Sequence, residues 1–174
     1  MVDKYDKATR SRMMAAVRSR GNRSTELRLA VLLRRHGLSG WRRHYAVAGT
    51  PDFCWPKRRV ALFVDGCFWH GCPRCRRAPK SNLAFWDAKV AENRRRDKKV
   101  EKRLRQQGWT VLRVWECRIN QPSTIRRIIK ALAEHGPRSH GNPPALRAGA
   151  LGDLLELLPE DKGGQRGQAI MALS

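Results

Sequence analysis

Apolar positions recur at the helical period in the first part of the chain, which predicts two helices there. The first is expected over residues 9–20, and the second runs from residue 24 or 25 to residue 36, where Gly37 ends it. A helix with one apolar face packs that face on a core and leaves the other in water. The apolar face of the second helix consists of Leu27, Ala30, Val31 and Leu33.

The pattern then changes to short apolar runs bounded by turn residues, which predict strands. These runs cover residues 41–47, 52–55 and 59–64, with turns at 49–51 and 65–66. We expect the three strands to form a short antiparallel ribbon. A cysteine-rich loop over residues 67–75 follows it.

The next part of the chain alternates helix, strand and helix. A long charged helix is expected over residues 83–106, stopped by Gly108. The mostly apolar run 109–117 predicts an interior strand, and residues 122–135 predict a last helix. Helices placed between strands favour a mixed α/β central sheet flanked by helices over an all-helical fold.

The length of 174 residues suits one folded domain, which we place at residues 1–135. From residue 136 to about 150 the composition shifts to Gly, Pro, Ser and Arg, which predicts a disordered tail over residues 136–174. A short apolar segment at 151–158 interrupts this tail. It either docks on the domain or contacts a partner, and the pattern leaves both open.

The chain is strongly basic, with 37 Lys and Arg against 15 Asp and Glu and a net charge of +22. This charge favours a polyanionic partner, above all a nucleic acid, over a basic surface without a specific ligand. No apolar run approaches the ~20 residues of a membrane-spanning helix, and no apolar secretory segment begins the sequence. We therefore expect no membrane association and a cytoplasmic location.

Four of the five cysteines have the spacing of metal ligands. Cys67, Cys72 and Cys75 lie in one loop, and Cys117 closes the last predicted strand. Four thiolates around one Zn²⁺ make a closed structural site, which would fasten the loop to a distant strand end. A redox pair formed by Cys72 and Cys75, or unpaired thiols, are the alternatives. Cys54 stands apart in a strand and is expected to be a small buried apolar residue.

Asp52 follows a turn and precedes an apolar strand, as acids do in nuclease metal sites. Its carboxylate would bind Mg²⁺ together with a carbonyl or side chain from the end of the next strand. His70 follows closely in sequence and, if neutral near pH 7, would take a proton from the attacking water. The alternatives are an ordinary turn acid for Asp52 and a further zinc ligand for His70.

Three polar residues on predicted helices are further candidates. Glu26 lies in the first turn of the second helix, where an acid also complements the helix dipole. Asn93 and Asp97 are four residues apart in the long helix, so they share a face and together would reach the site. Asp97 would equally pair with a basic neighbour at the surface.

Taken together, several sequence blocks resemble the very short patch repair endonucleases. The similar region covers about residues 3–135. The resemblance implies the restriction-endonuclease-like fold and a Mg²⁺-dependent nick on the 5′ side of the thymine in a T·G mismatch, which arises when 5-methylcytosine is deaminated. The matching blocks are DKATRS (6–11), GTPDF (49–53), VDGCFWHGCP (64–73), FW (85–86), Asn93, Asp97, GW (108–109) and VWEC (114–117).

The resemblance also suggests roles for single residues. Asp52 resembles the family's metal-binding aspartate, and the backbone carbonyl of Val64 resembles its second protein ligand. His70 resembles the residue that activates water, Glu26 the supporting carboxylate, and Asp97 the acid that orients a catalytic group. The four clustered cysteines match the zinc positions, although some relatives have a histidine at the second of them.

One position departs from the family pattern, because Asp65 stands where some members have a histidine. The Glu-x-Lys that ends the second strand of related nucleases is missing as well, since residues 63–65 read Phe-Val-Asp. Asp65 either adds negative charge beside the metal ion as part of the catalytic set or only turns the chain ahead of Gly66.

Aromatic residues in the cysteine loop predict how a mismatch is read. Phe68 and Trp69 lie on a loop that zinc would hold rigid, as an intercalating wedge requires. In the family a methionine enters from the other groove; Met14 matches it, and Trp86 resembles a third stacking residue. Asn93 is predicted to be a DNA-binding residue as well. The alternative for the three aromatic residues and the methionine is that they belong to the hydrophobic core and do not contact DNA. The basic residues that follow Asn93 on the long helix are expected to face phosphates or solvent. They are Arg94, Arg95, Arg96, Lys98 and Lys99.

Three functions therefore compete: a mismatch-specific nickase, a non-catalytic zinc protein that binds DNA, and a nuclease of this fold with another target. We favour the nickase, because the DNA binder leaves the arrangement of Asp52 and His70 without a purpose. The nickase would act as a monomer on duplex DNA, in a pathway shared with mismatch-repair proteins and a cytosine methyltransferase.

Overall fold

The computed structural model describes residues 6, 8–9, 12, 22–75 and 82–136. From residue 22 onward one helix precedes two strands, and a long helix then leads to a third strand and a last helix. The helices are α1 (Arg28–Arg35), α2 (Leu83–Gln106) and α3 (Pro122–Glu134), and the strands are β1 (Phe53–Trp55), β2 (Val60–Asp65) and β3 (Thr110–Trp115). A π-helical turn (Arg23–Leu27) leads into α1, and 3-10 turns follow β1 (Pro56–Arg58) and β3 (Glu116–Arg118).

Local signals account for where the helices begin and end. The Asn22 side chain accepts a hydrogen bond from the Ser24 backbone N–H at 2.9 Å and so caps the turn ahead of α1. Pro122 opens α3, where the missing N–H leaves no helical hydrogen bond unmade. Gly37 and Gly108 follow α1 and α2 with φ angles of 63° and 76°, which glycine adopts without strain. The predicted bounds of the helices after residue 22 are therefore confirmed to within a few residues.

The three strands form a mixed sheet in the order β1-β2-β3. β1 and β2 are antiparallel, which confirms that part of the predicted ribbon. β2 and β3 are parallel, because α2 carries the chain back to the same end of the sheet between them. In the described part of the chain β3 is an edge strand, so the prediction of an interior strand is wrong. Its apolar run is explained by helices that cover both of its faces.

The predicted strand at residues 41–47 is also wrong. Within the described residues this segment pairs with the sheet at Arg42 alone, through two hydrogen bonds with the backbone of Cys54 of 2.7 and 2.8 Å. His44 then takes a φ of 49°, a left-handed conformation that an extended strand excludes. The Val47 N–H closes a turn on the Tyr45 carbonyl at 2.8 Å. The segment is therefore a loop that crosses the edge of β1.

Different helices cover the two faces of the sheet. On one face α1 and α3 pack against β1 and Leu62 and form the larger core. On the other face α2 places Val100 and Leu104 over Ala61 and Val111. Because side chains alternate along a strand, the odd-numbered residues of β2 and β3 face α2. The described chain is thus a mixed α/β sheet flanked by helices, as the pattern predicted.

The beginning of the chain is described only in part. Thr9 and Arg12 are helical, and Asp6 accepts hydrogen bonds from the Thr9 backbone N–H at 2.6 Å and from its hydroxyl at 3.2 Å. The remainder of the first predicted helix, including Met14, and the predicted tail after residue 136 lie outside the described residues. None of the described helices is long and apolar enough to cross a membrane.

Candidate active site

The stripe of α2 that faces the sheet changes from apolar to polar near the end of β2. Val100 and Leu104 cover the apolar middle of the sheet. One and two turns earlier, Asp97 and Asn93 occupy the same helical face. They bring polar groups to the loop that follows β2, a place where protein scaffolds commonly position catalytic residues.

Asp52 lies at the beginning of β1 and is bound to the end of β2. Its Oδ2 accepts a hydrogen bond from the Val64 backbone N–H at 2.7 Å. Burial raises the pKa of Asp52 to about 6, and the charges of Glu26 and Asp65 add to this rise, which the hydrogen bond from Val64 and the charge of Arg43 offset only in part. The side chain is therefore a partly buried acid with other acids nearby, a site that a cation would stabilise.

Glu26 belongs to the same group of acids. It is 3% exposed in the π-helical turn ahead of α1, where it forms an ion pair with Arg43. His44 Nε2 lies 3.4 Å from the same carboxylate. Glu26 is thus a buried, ion-paired acid whose charge acts on Asp52. Complementing the helix dipole is therefore not its only interaction.

His70 and Asp97 are in direct contact across the end of the sheet. His70 Nδ1 lies 2.6 Å from Asp97 Oδ2 and 3.9 Å from Asp65 Oδ1. Burial alone would raise the pKa of Asp97, but the bond from His70 and the charge of Arg113 outweigh it and lower that pKa. An ionised carboxylate at this distance holds the proton on Nδ1, which leaves Nε2 as the basic nitrogen of a neutral ring.

Arg113 completes this group and was not predicted. On β3, its Nε donates to Asp65 Oδ2 at 2.7 Å, and its terminal Nη2 donates to Asp65 Oδ1. The same Nη2 lies 3.0 Å from Asp97 Oδ2. Asp65 is 5% exposed, so this guanidinium neutralises a buried acid. The sequence feature that could have identified Arg113 is that it is a charged residue within the mostly apolar run of the last predicted strand.

Three residues of α2 hold the loop that carries His70. Asn93 Nδ2 donates to the Trp69 carbonyl at 2.8 Å. Arg94 Nε donates to the His70 carbonyl at 3.0 Å, and its Nη2 donates to the Gly71 carbonyl. Together with Asp97 they fasten the loop to the helix. Arg94 was predicted to face phosphates or solvent; it is exposed, and it also bonds to the loop, a contact that was not predicted.

The loop packs so closely against α2 that a side chain at position 71 would not fit, which explains the glycine there. Its φ is 68°, and a Cβ there would lie 2.6 Å from Cγ1 of Val90. Asn93 itself is buried, at 8% exposure, beneath the same loop. The structure therefore gives Asn93 a role in loop packing, and its contact with DNA stays a prediction.

The four predicted zinc ligands meet in space, although Cys117 is distant in sequence. The Sγ atoms of Cys67, Cys72, Cys75 and Cys117 all lie within 4.8 Å of one another, and those of Cys72 and Cys117 are 3.7 Å apart. Four thiolates 2.3 Å from one ion form a tetrahedron with edges of roughly 3.8 Å. The donor set and its spacing therefore fit a four-sulfur zinc site.

Within this cluster the thiol of Cys72 differs from the isolated Cys54, whereas burial raises the pKa of Cys67 and of Cys117. Burial opposes ionisation of Cys72, but backbone N–H groups of Arg74 and Cys75 outweigh it and lower the pKa of Cys72 to about 7. Cys54 is fully buried in β1, which raises its pKa to about 12. Cys54 is confirmed as a small buried residue, whereas Cys72 is suited to bind a metal as a thiolate.

Phe68 and Trp69 of the cysteine loop form one aromatic cluster with Trp86 of α2. The ring of Phe68 lies 5.2 Å from that of Trp69 and 5.0 Å from that of Trp86, and each pair is edge-on. Phe85 adds a ring 5.3 Å from Trp86 and is 54% exposed. All three cluster residues are partly exposed, so the cluster is a surface feature and not part of the core.

Comparison with known proteins places this arrangement in a family. The family model described as DNA mismatch endonuclease Vsr matches residues 2–77. The Type II nicking enzyme V.XorIIP of Xanthomonas oryzae pv. oryzae is 39% identical over 136 residues, which are 77% of this chain and 98% of that relative. The DNA mismatch endonuclease Vsr of Escherichia coli K12 is 40% identical over 119 residues, which are 67% and 75% of the two chains. The chain therefore belongs to the DNA mismatch endonuclease Vsr family, a family of DNA endonucleases.

Proposed function

We propose that this protein is a Mg²⁺-dependent nickase that cuts one strand of duplex DNA 5′ to the thymine of a T·G mismatch. The observation that carries the proposal is that Asp65 links Asp52 to His70: its charge acts on the Asp52 carboxyl, and its Oδ1 lies 3.9 Å from Nδ1 of the His70 ring that Asp97 fixes. We assign residues 1–135 to one domain of the restriction-endonuclease-like fold. The mixed sheet flanked by helices supports this assignment.

Asp52 and the backbone carbonyl of Val64 would hold the Mg²⁺. Oxygen ligands of this kind are the ones Mg²⁺ prefers, and a divalent ion would balance the charge of the partly buried Asp52 carboxylate. When bound, the ion makes water more acidic and stabilises charge on the reacting phosphate. Glu26, held by Arg43 and His44, would orient water at the edge of this site as a supporting carboxylate.

His70 would accept the proton of the attacking water at Nε2. Its Nδ1–H is bound to Asp97, so the ring keeps one orientation and one tautomer. Asp97 lies at hydrogen-bond distance from His70, which suits it to stabilise the imidazolium after proton transfer. Asp65 takes no proton in this mechanism, because both of its oxygens accept hydrogen bonds from Arg113.

The four clustered cysteines would bind one structural Zn²⁺. A closed four-sulfur site leaves no position for substrate, so its contribution is mechanical. It would join the loop after β2 to the turn after β3, and the Cys67 N–H already bonds to Glu116 there at 3.3 Å. Such a link would hold His70 and the aromatic cluster in fixed positions.

The aromatic cluster would read the mismatch by partial intercalation. A wobble pair stacks poorly, so the cost of inserting aromatic side chains is lower beside it than within paired DNA. Met14 and Asn93 remain predicted DNA contacts. Apart from Arg94, the basic residues predicted to face phosphates would hold the DNA backbone without reading sequence. We further propose a monomer that acts in the cytoplasm, in a pathway shared with mismatch-repair proteins and a cytosine methyltransferase.

Two labelled duplexes that differ only in a T·G or a T·A pair test this proposal. With Mg²⁺ and the purified protein, we expect one nick beside the thymine of the T·G duplex and an intact T·A duplex. Repeating the assay over flanking sequences would define the preferred context. No nick in any duplex would support a DNA-binding protein without catalysis, and equal cutting of both would support a nuclease with another target.

A further inference from the structure

Arg113 contacts both acids that lie near His70, Asp65 and Asp97. It lies opposite Phe63 in the parallel pairing of β2 and β3, so its side chain leaves the sheet on the face covered by α2. The guanidinium carbon lies 5.3 Å from the centre of the Phe63 ring. Side chains two residues apart on a strand share a face, so Asp65 points the same way and meets the guanidinium.

Nη2 of Arg113 carries two hydrogens, so it can donate one to each of the two acids. Nη2 donates to Asp65 Oδ1 and lies 3.0 Å from Asp97 Oδ2. That Asp97 oxygen is the one 2.6 Å from His70 Nδ1. Nε donates to the second oxygen of Asp65 at 2.7 Å. Arg113 therefore holds the Asp97 oxygen that orients the imidazole. It also binds both oxygens of Asp65, the other acid near His70.

We propose that Arg113 is a positioning residue that reserves the His70 Nδ1–H for Asp97. Asp65 Oδ1 lies 3.9 Å from the same Nδ1, close enough to compete for its single proton when the guanidinium is removed. Two unneutralised carboxylates there would repel each other and pull the ring between two orientations. The catalytic consequence rests on the proposed function, in which Nε2 of His70 must face the attacking water.

Single-turnover nicking of the mismatched duplex tests the proposal, with binding measured separately. We expect Arg113→Gln to slow the nicking step by about tenfold to a hundredfold, the range that a small displacement of a catalytic group costs. The affinity for the duplex should stay within about twofold of the control Arg105→Gln, which removes the same charge from an exposed surface of α2. A loss of affinity that explains the whole defect would overturn the proposal, since Arg113 would then be a phosphate contact.

A second substitution separates positioning from simple loss of structure. In Asp65→Asn with Arg113→Gln the competing carboxylate is gone, so we expect the double variant to nick several-fold faster than Arg113→Gln alone. Arg113→Lys keeps the charge but lacks the planar guanidinium that binds two carboxylates at once. Its nicking rate should lie between those of the wild type and Arg113→Gln. A double variant no faster than Arg113→Gln would overturn the proposal. If Arg113→Gln does not fold, a double variant near the wild-type rate supports the proposal, and one as slow as Asp97→Asn overturns it.

A measurement without DNA keeps this inference apart from the proposed function. Nitrogen-15 NMR of the histidine rings reports which nitrogen carries the proton. We expect the His70 proton on Nδ1 in the wild type, and a mixture of tautomers or an exchange-broadened signal in Arg113→Gln. An unchanged His70 spectrum would overturn the proposal for Arg113. A wild type that cuts no duplex but shows the expected spectra would contradict only the proposed function.

Discussion

Asp52→Asn should lose nicking by at least about a thousandfold, because the metal site supplies several kcal/mol of transition-state stabilisation. The amide keeps an oxygen that accepts the hydrogen bond from Val64, so the backbone should be undisturbed. Binding to the mismatched duplex should stay within a few fold. The matched control is Glu134→Gln, an exposed acid on α3. Nicking by Asp52→Asn at the wild-type rate would remove Asp52 from the metal site.

The same substitution should stabilise the protein in Mg²⁺-free buffer. A carboxyl whose pKa rises from 3.8 to about 6 on folding costs the fold roughly 3 kcal/mol at pH 7. Because the folded protein holds this proton more tightly than the unfolded chain, the cost is full above pH 6 and disappears toward pH 4. Thermal unfolding should therefore show a higher Tm for Asp52→Asn at pH 7 and a smaller difference at pH 4.5. An equal gain at both pH values would contradict this cause.

Replacing both Phe68 and Trp69 by alanine should abolish most of the discrimination between mismatched and paired DNA. Stacking of a base on an aromatic ring contributes about 1–3 kcal/mol, so losing two rings should lower the ratio of T·G to T·A nicking by about a hundredfold. Affinity for ordinary duplex DNA should change far less, because phosphate contacts supply most of it. The measurement is the ratio of single-turnover nicking rates on the two duplexes.

Phe85→Ala is the matched control for this double variant. Phe85 contacts Trp86 from the exposed side of α2 but does not lie on the cysteine loop. We expect the control to keep the wild-type ratio of nicking rates. An unchanged ratio in the double variant would place mismatch recognition elsewhere in the protein.

The sequence predicts the elements and residues whose signals are local. The bounds of α2 follow from its composition and from Gly108, and the cysteine cluster follows from spacing that is typical of metal ligands. Asp97 could be assigned to the face of α2 that reaches the site, because the helical period fixes which residues share a face. Its contact with His70 agrees with the role that the family resemblance suggested.

The missed features depend on contacts between distant parts of the chain. Arg113 meets Asp65 only because β2 and β3 pair in parallel, and no local pattern sets that register. Arg94 looks like its basic neighbours in sequence, yet it is the one that faces the loop carbonyls. The segment at 41–47 has strand composition, but the left-handed turn at His44 prevents continued pairing.

Anomalous X-ray diffraction tests most directly whether the protein binds two different metal ions, Mg²⁺ at Asp52 and Zn²⁺ at the four clustered cysteines. Crystals grown with Mn²⁺ in place of Mg²⁺ would be measured at the zinc and manganese absorption edges. We predict one zinc peak about 2.3 Å from each sulfur of Cys67, Cys72, Cys75 and Cys117, and a manganese peak bound by the Asp52 carboxylate and the Val64 carbonyl. A manganese peak held by Asp65, His70 and Asp97 instead, or no zinc among the four sulfurs, would contradict the account.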